Sequence, residues 1–463
     1  MRGKVGFLIS HSANYFGIER KLHEKALEEL LGFAEKLQCE VVPYGPIQSG
    51  EEAMDARAYF QNQEIDYMIM YIADFSSGDI MMSFEKMFCP IGIWFPAEPH
   101  KDGDIQLNAA VTANMFASIA QRKFDRKTSC DWYYGDIQDR LVKDRLEVAL
   151  RVAKAKKNIT SATVGILGDV APTFYNLENN HFRERFPNMK VERLSVQEIV
   201  EGVEKVTELE FQETKDLIIN SCNKIEAAEK SINNSAKVYV ALKKILEEKK
   251  VDCLAAACWP DFQDAFQIVP CVIYTLLGSQ LNIPTACEGD IGGALSLLLA
   301  KEVSGNVPTL MDLTSMDKET GSLLLWHCGI SSTELQPKED VRIIDHPMLD
   351  RKNPDRELMG LAYDYHFIES DVTVLRYSNN DKLFSFECTI EGSDKGYSGT
   401  RGYLNNFSYL GNPFLVEDVV DAIFENGIEH HLIVCPGKVG GALFKLAAEL
   451  GIENIPIKKY KAY

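Results

Sequence analysis

The chain has 463 residues, of which 46% are apolar, 25% charged and 10% aromatic, a mixture that fills globular cores and excludes disordered, collagenous and coiled-coil classes. At roughly 150 residues per domain the length predicts about three domains. Forty-nine Lys plus Arg against 68 Asp plus Glu leave a formal charge of −19. That field repels a phosphate backbone or an anionic bilayer, so neither nucleic acid nor a membrane is an expected partner.

The apolar run at residues 5–9 is too short for a signal-peptide core. The most apolar stretches, 268–277 and 294–300, fall well short of the ~20 residues that span a bilayer. A cytoplasmic protein is expected. Eleven cysteines, an odd number with no CxxC pair, read as free thiols in a reducing compartment.

In chain order, short apolar runs alternate with helical patterns through the first third: 5–10, a helix over 18–37, 40–43, a helix over 51–61, 67–72 and 91–95. Strands interleaved with helices predict a parallel sheet covered on both faces. The charged helical stretch 139–157 is the expected boundary, after which TVGILG restarts the pattern. An amphipathic segment over 224–250, the strand CLAAAC, one helix over 262–278 and a strand over 284–287 follow. Beyond about residue 320, VRIID, VTVLRYS, KLFSFECTI and RGYLNNFSYL are separated by the turn-forming NND, EGSDKG and GNP, which predicts antiparallel pairing. A helix, strand, helix passage closes the chain. The expected fold class is α/β: two doubly wound parallel-sheet domains, 1–158 and 159–318, then a β-rich, antiparallel, barrel-like domain, 319–463.

No GxxxxGK[ST] loop, GxSxG elbow or HExxH helix occurs. The glycines of GGAL near Gly293 and GKVGGAL near Gly437 lack GxGxxG spacing and read as tight helix starts or close packing, so no nucleotide cofactor is expected. The informative residues are polar groups at strand ends. Glu288 stands at the carboxyl end of a predicted strand and before a helix, where open α/β sheets hold ligands, although the helix dipole alone would also favour an acid there. Asp312 lies in the apolar TLMDL, where an unpaired charge is costly. His327 ends LLLWH. Read as strand ends of one unit, the three suit a hard divalent cation. His430 and His431 open the strand LIVCPG and could complete a metal shell only if the C-terminal region folds back onto the second domain.

The EGD context of Glu288, the acid 24 positions later in LMDLTSMD and a histidine opening a strand near the C-terminus together resemble the L-fucose isomerase and L-arabinose isomerase superfamily. The resemblance implies an aldose–ketose isomerase with two α/β domains and a β-rich third. It further implies Mn²⁺, with Mg²⁺ or Co²⁺ as substitutes, held by Glu288, Asp312 and His431, and contact of His430 with substrate. His327 resembles an extra metal-ligating histidine of the arabinose branch. GIWFPAEP around Trp94, and CWPDFQ with Trp259 and Gln263, resemble substrate-wall segments; core packing is the other reading of both tryptophans. A homo-oligomer of three or six chains with shared active sites is also implied.

In such a reaction a proton moves between C1 and C2 of a pentose or hexose such as L-fucose or D-arabinose. The cation stabilises the enediolate, while Glu288 and Asp312 serve as general base and acid. Two alternatives stand beside this reading. One is an isomerase of a modified or anionic sugar, a sulfosugar for example, to which Arg376, Arg401 or Lys438 could offer charge. The other is a non-catalytic sugar-binding protein, against which the presence of both acids counts.

Overall fold

The computed structural model describes residues 2–100, 102–124, 130–179, 181–349, 359–393 and 396–459. It divides into two compact units, residues 1–158 with 448–450, and 159–447 with 451–463.

The N-terminal unit is built on a five-stranded parallel sheet in the order Cys39–Ile47, Gly3–Ser10, Tyr67–Ile72, Ile91–Phe95, Asp131–Tyr134. Its central strands bury both faces, so they read as continuous apolar runs. Leu8, Met68, Met70 and Ile72 pack with Phe60 and Phe116 in one apolar cluster, while Phe7, Ile9, Ile69 and Tyr71 pack with Leu30, Leu146 and Leu150 in another. The helix Gly50–Gln63 opens with a capping box from Ser49 to Glu52, which satisfies amide groups that the first turn leaves without helical partners.

The second unit begins with a four-stranded parallel sheet, ordered Thr285–Ala286, Cys253–Ala256, Thr163–Leu167, Lys190–Leu194. Two expectations change here. The segment expected as one amphipathic stretch from 224 is a short strand, Lys224–Glu226, and then a helix, Glu229–Glu248. The single helix expected over 262–278 is two, Asp261–Phe266 and Cys271–Leu281. The first ends where Gln267 turns left-handed at φ 54°, and Pro270, without an N–H to donate, can only precede a new helix start.

Six of the remaining strands close an antiparallel barrel, as the β-rich texture predicts, while Ala362–His366, Arg342–Ile344 and Lys224–Glu226 extend its sheet with two parallel pairings among them. The barrel order is Lys382–Glu391, Ser370–Ser378, His431–Pro436, Thr309–Asp317, Ser322–His327, Thr400–Tyr409, the last pairing back with the first. Thr309–Asp317 therefore differs from its expected place in the second α/β domain and sits beside Ser322–His327, the first strand expected of the β-rich one. They form a hairpin turning at Gly321, φ 65°, and the first of them is laddered to the C-terminal strand, Asp312 opposite His431. The helix Ile291–Ser304 packs on Ser370–Ser378 and His431–Pro436, which explains why Val372 to Ser378 are buried at every position. No helix among the described residues is long and apolar enough to cross a membrane.

Candidate active site

The carboxyl ends of the parallel strands of the second unit run into the loops that carry Gly168 to Phe174, Trp259, and Cys287 with Glu288, the edge where such sheets place ligands. Glu288 holds φ 59° between the strand and Gly289 at φ 71°. A left-handed conformation costs a non-glycine residue about 1–2 kcal/mol, and strain of this kind concentrates where a side chain must be aimed. The turn is tied by a hydrogen bond from the Ala171 amide to the Glu288 carbonyl, 3.0 Å. The next acid, Asp290, caps the helix Ile291–Ser304 by accepting from the Gly293 amide at 2.8 Å.

From the barrel side, the ladder brings His431 beside Asp312, because directly opposed residues of an antiparallel pair project on one face. His431 Nε2 lies 3.5 Å from Glu288 Oε2 and 3.6 Å from Asp312 Oδ1, while its Nδ1 lies 2.8 Å from Asp290 Oδ2. An ionised Asp290 can only accept, so Nδ1 is the nitrogen that donates to it and Nε2 is the one turned toward the two carboxylates. His431 is fully buried, and the Glu288 side chain keeps 19% exposure and that of Asp312 30%. His430 approaches Glu288 with Nε2 at 3.3 Å and meets the Asn176 amide through Nδ1 at 3.2 Å.

A buried ion cluster supports this arrangement. Arg376, fully buried, donates from both terminal nitrogens to Asp290, Nη2 to Oδ1 at 2.9 Å, and from Nε to Glu429 at 3.1 Å. Glu429 also accepts from Ser378 Oγ at 3.1 Å and the Asn379 amide at 2.8 Å. One guanidinium thus joins the start of the Asp290-capped helix to the residue that precedes His430 and His431. Burial opposes the charge on Asp290, but Arg376 and His431 overcome it and hold that carboxyl well below the usual range. Burial likewise opposes charge on Glu288, and the hydrogen bond from His430 with the neighbouring imidazoles brings its carboxyl below the ordinary value. Burial depresses His430, and Glu288 with Asp312 more than restore it, so its imidazole holds a proton more tightly than usual.

The structure brings ligand atoms of Glu288, His430 and His431 within 4.8 Å of one another, and Asp312 joins them through its 3.6 Å approach to His431. His327 stands beside them among sulfur atoms, its Nε2 3.2 Å from Cys287 and its Nδ1 3.4 Å from Cys328. Trp259 is half-buried and meets Phe174 edge-on at 6.5 Å; Phe174 in turn lies 5.2 Å from the His430 ring. Gln263 is half-buried on the helix Asp261–Phe266. Trp94 belongs to the N-terminal unit, where it is 1% exposed, packs against Phe7 and Tyr71 and donates to the Gly135 carbonyl at 2.8 Å. It also lines a cavity of about 260 Å³ with Tyr71, Lys25 and Asp136. Of the cations considered for an anionic substrate, Arg376 serves Asp290 and Glu429, Arg401 meets Asp364 at 3.0 Å and Lys438 meets Asp371 at 3.0 Å. Of the three, only Arg376 is locked in buried pairs: Lys438 stands in an exposed pair, and Arg401 keeps its Nε without a hydrogen-bond partner among the described residues.

Asp290 and Glu429 are supporting residues that sequence reasoning overlooked, and Arg376, expected as a charge for an anionic substrate, instead holds the two of them. Two signals were present: an acid directly before an apolar helical run is a cap, and an arginine inside VTVLRYS needs a buried partner.

No family model matches the chain. Curated relatives do. The sulfoquinovose isomerase of Priestia aryabhattai is 23% identical over 441 residues, covering 93% of this chain and 94% of its own. That of Alkalicoccus urumqiensis is 24% identical over 408 residues, 86% of each, and that of Clostridium sp. (strain MSTE9) 24% over 255 residues, 54% of this chain and 56% of its own. The chain is an isomerase. As an intramolecular oxidoreductase it needs an acid–base apparatus and no external electron acceptor, and the Glu288, Asp312 and His431 cluster offers acid–base groups in one place. Its donor set, two carboxylates and one imidazole whose far nitrogen is held by an acid, is also the composition and support that a hard divalent cation takes.

Proposed function

We propose that the chain interconverts a sulfonated hexose of the sulfoquinovose class with its ketose, assisted by a divalent cation, Mn²⁺ first, held by Glu288, Asp312 and His431. The shared name of the relatives favours a sulfosugar over L-fucose or D-arabinose. The observation that carries the chemistry is the His431 ring, whose Nε2 faces Glu288 and Asp312 at 3.5 and 3.6 Å while Asp290 holds Nδ1.

A bound cation would supply Lewis acidity at the substrate oxygens and so acidify the carbon that loses its proton. The other tasks fall to the chain. Glu288, kept anionic by the neighbouring imidazoles, takes the proton from one carbon and returns it to the next. Asp312, on the other side of His431 Nε2, exchanges a proton with the adjacent oxygen. Phe174, Trp259 and His430 form a wall for a sugar face. Arg376 is fully engaged by Asp290 and Glu429, so the charge that meets the sulfonate is to be supplied by another cation of the chain or by a second copy in a homo-oligomer.

The test is ketose formation followed by NMR with Mn²⁺ present, comparing sulfoquinovose, the matched 6-deoxyhexose without the sulfonate, L-fucose and D-arabinose. A hydrogen bond to a charged group contributes about 1.5–3 kcal/mol, so kcat/KM should favour the sulfonated sugar by about 10–100-fold. A higher kcat/KM for L-fucose or D-arabinose would overturn the sulfosugar reading, and no turnover of any of the four would overturn the proposal.

A further inference from the structure

Beside the carboxylates lies a sulfur-rich cluster that the proposed reaction leaves unused. Cys271 opens the helix Cys271–Leu281, Cys328 directly follows the strand Ser322–His327, and His346 lies two residues beyond the strand Arg342–Ile344. One ligand atom from each of the three lies within 4.8 Å of the others, and the two sulfur atoms are 3.9 Å apart. Neither thiol is in a disulfide.

That spacing can be compared with coordination geometry. Zinc–sulfur bonds of about 2.3 Å at a tetrahedral angle set two thiolates about 3.8 Å apart, and a thiolate and an imidazole nitrogen about 3.6 Å apart. The observed sulfur separation matches the first figure. A ring nitrogen of His346 lies within 4.8 Å of both sulfur atoms, close enough for small side-chain adjustments to reach the second. The elements are already fixed around this point: the Val269 amide donates to the Gly360 carbonyl at 2.8 Å, the His346 backbone amide donates to the Met359 carbonyl at 2.7 Å, and Val269, Cys271 and Ala362 form a small buried cluster.

We infer that Cys271, Cys328 and His346 form a second metal site, for a soft divalent cation of the Zn²⁺ class, distinct from the oxygen-rich site proposed for catalysis. Two thiolates and an imidazole select such an ion over Mn²⁺ or Mg²⁺. Binding displaces two thiol protons and exchanges the contacts that His346 Nδ1 accepts from the Met348 and Leu349 amides, at 3.1 and 3.2 Å, for a cation bond. The ion would tie one helix and two strand ends together. The site is independent of the proposed reaction.

The experiment uses the full-length, reduced and demetallated protein titrated with Co²⁺. A sulfur-to-cobalt charge-transfer band saturating at one equivalent is expected, because only a thiolate site produces it. Zn²⁺ should bleach the band and excess Mn²⁺ should leave it. Cys271→Ser and Cys328→Ser should each abolish it, His346→Ala should weaken Co²⁺ binding by about tenfold or more, and Cys287→Ser should retain it. Cadmium NMR of the unmutated protein gives a sulfur-ligated resonance if the inference holds, independently of how the variants fold. The inference is overturned by the absence of a sulfur–cobalt band, by a band that survives both Cys271→Ser and Cys328→Ser, or by one lost in Cys287→Ser. A cadmium resonance typical of oxygen and nitrogen ligands alone also overturns it.

Discussion

Replacing Asp290 by Asn keeps the size of the side chain and its ability to cap a helix, and removes one charge from a cluster in which Asp290 and Arg376 are both fully buried. Deleting one partner of a buried ion pair costs about 3–5 kcal/mol. Glu429 still accepts from Arg376 Nε at 3.1 Å, so the expected loss in urea unfolding lies at the lower end, about 3 kcal/mol.

The second effect falls on His431. An amide can offer an N–H where the carboxylate only accepts, which drives the imidazole proton toward Nε2, the nitrogen that faces Glu288 and Asp312. Mn²⁺ affinity measured by calorimetry should drop by about 10–100-fold. The sign of the pH dependence follows from the lowered carboxyl. With a folded value below the ordinary 3.8, the charge stabilises the fold fully above that value and ceases to do so as pH falls through the depressed one. The gap between the two proteins should therefore be constant at neutral pH and narrow only in acid. An Asp290→Asn protein with the parental urea midpoint and Mn²⁺ affinity would refute the role of this cluster.

Glu288→Gln should lower kcat on the order of 10³-fold, since it removes a cation ligand and a proton acceptor together; a variant within a few-fold of the parent would reduce Glu288 to a helix-terminal residue. His431→Ala should weaken Mn²⁺ binding by about tenfold or more while His430→Ala mainly raises KM, and metal titration with thermal melting of both variants would expose the reverse assignment. Dialysis against EDTA should abolish turnover, with Mn²⁺ restoring it better than Zn²⁺, and full activity of metal-free protein would contradict the cation's role. Gly293→Ala should cost about 1–3 kcal/mol in chemical unfolding, because its new Cβ would collide with Asp290 Oδ2 and crowd Arg376 Nη1 at 3.1 Å.

The alternation of apolar runs and helices marked the two parallel sheets from the sequence alone, because strands buried on both faces must be apolar throughout. The β-branched and aromatic runs of the C-terminal third marked the barrel in the same way. Glu288, Asp312 and the His430–His431 pair were also legible, since each sets a polar group at the end of, or within, a segment otherwise committed to burial. The glycines of GGAL were readable as close packing, and Gly292 and Gly293 do stand against Asn379, Arg376 and Asp290.

The tertiary structure alone decided which strands are neighbours. Local pattern says that TLMDL and LLLWH are strands, but pairing partners are set by ladders between distant segments, here Asp312 with His431, 119 positions on. The same reason hid the ion cluster: Asp290, Arg376 and Glu429 lie 86 and 53 positions apart, and no periodicity connects them. It also hid the approach of Cys271 to Cys328 across 57 positions. Residue type and local period declare what a segment must bury; which charge neutralises which, and which thiol meets which, depends on closure of the barrel and on how the helix Ile291–Ser304 packs against it.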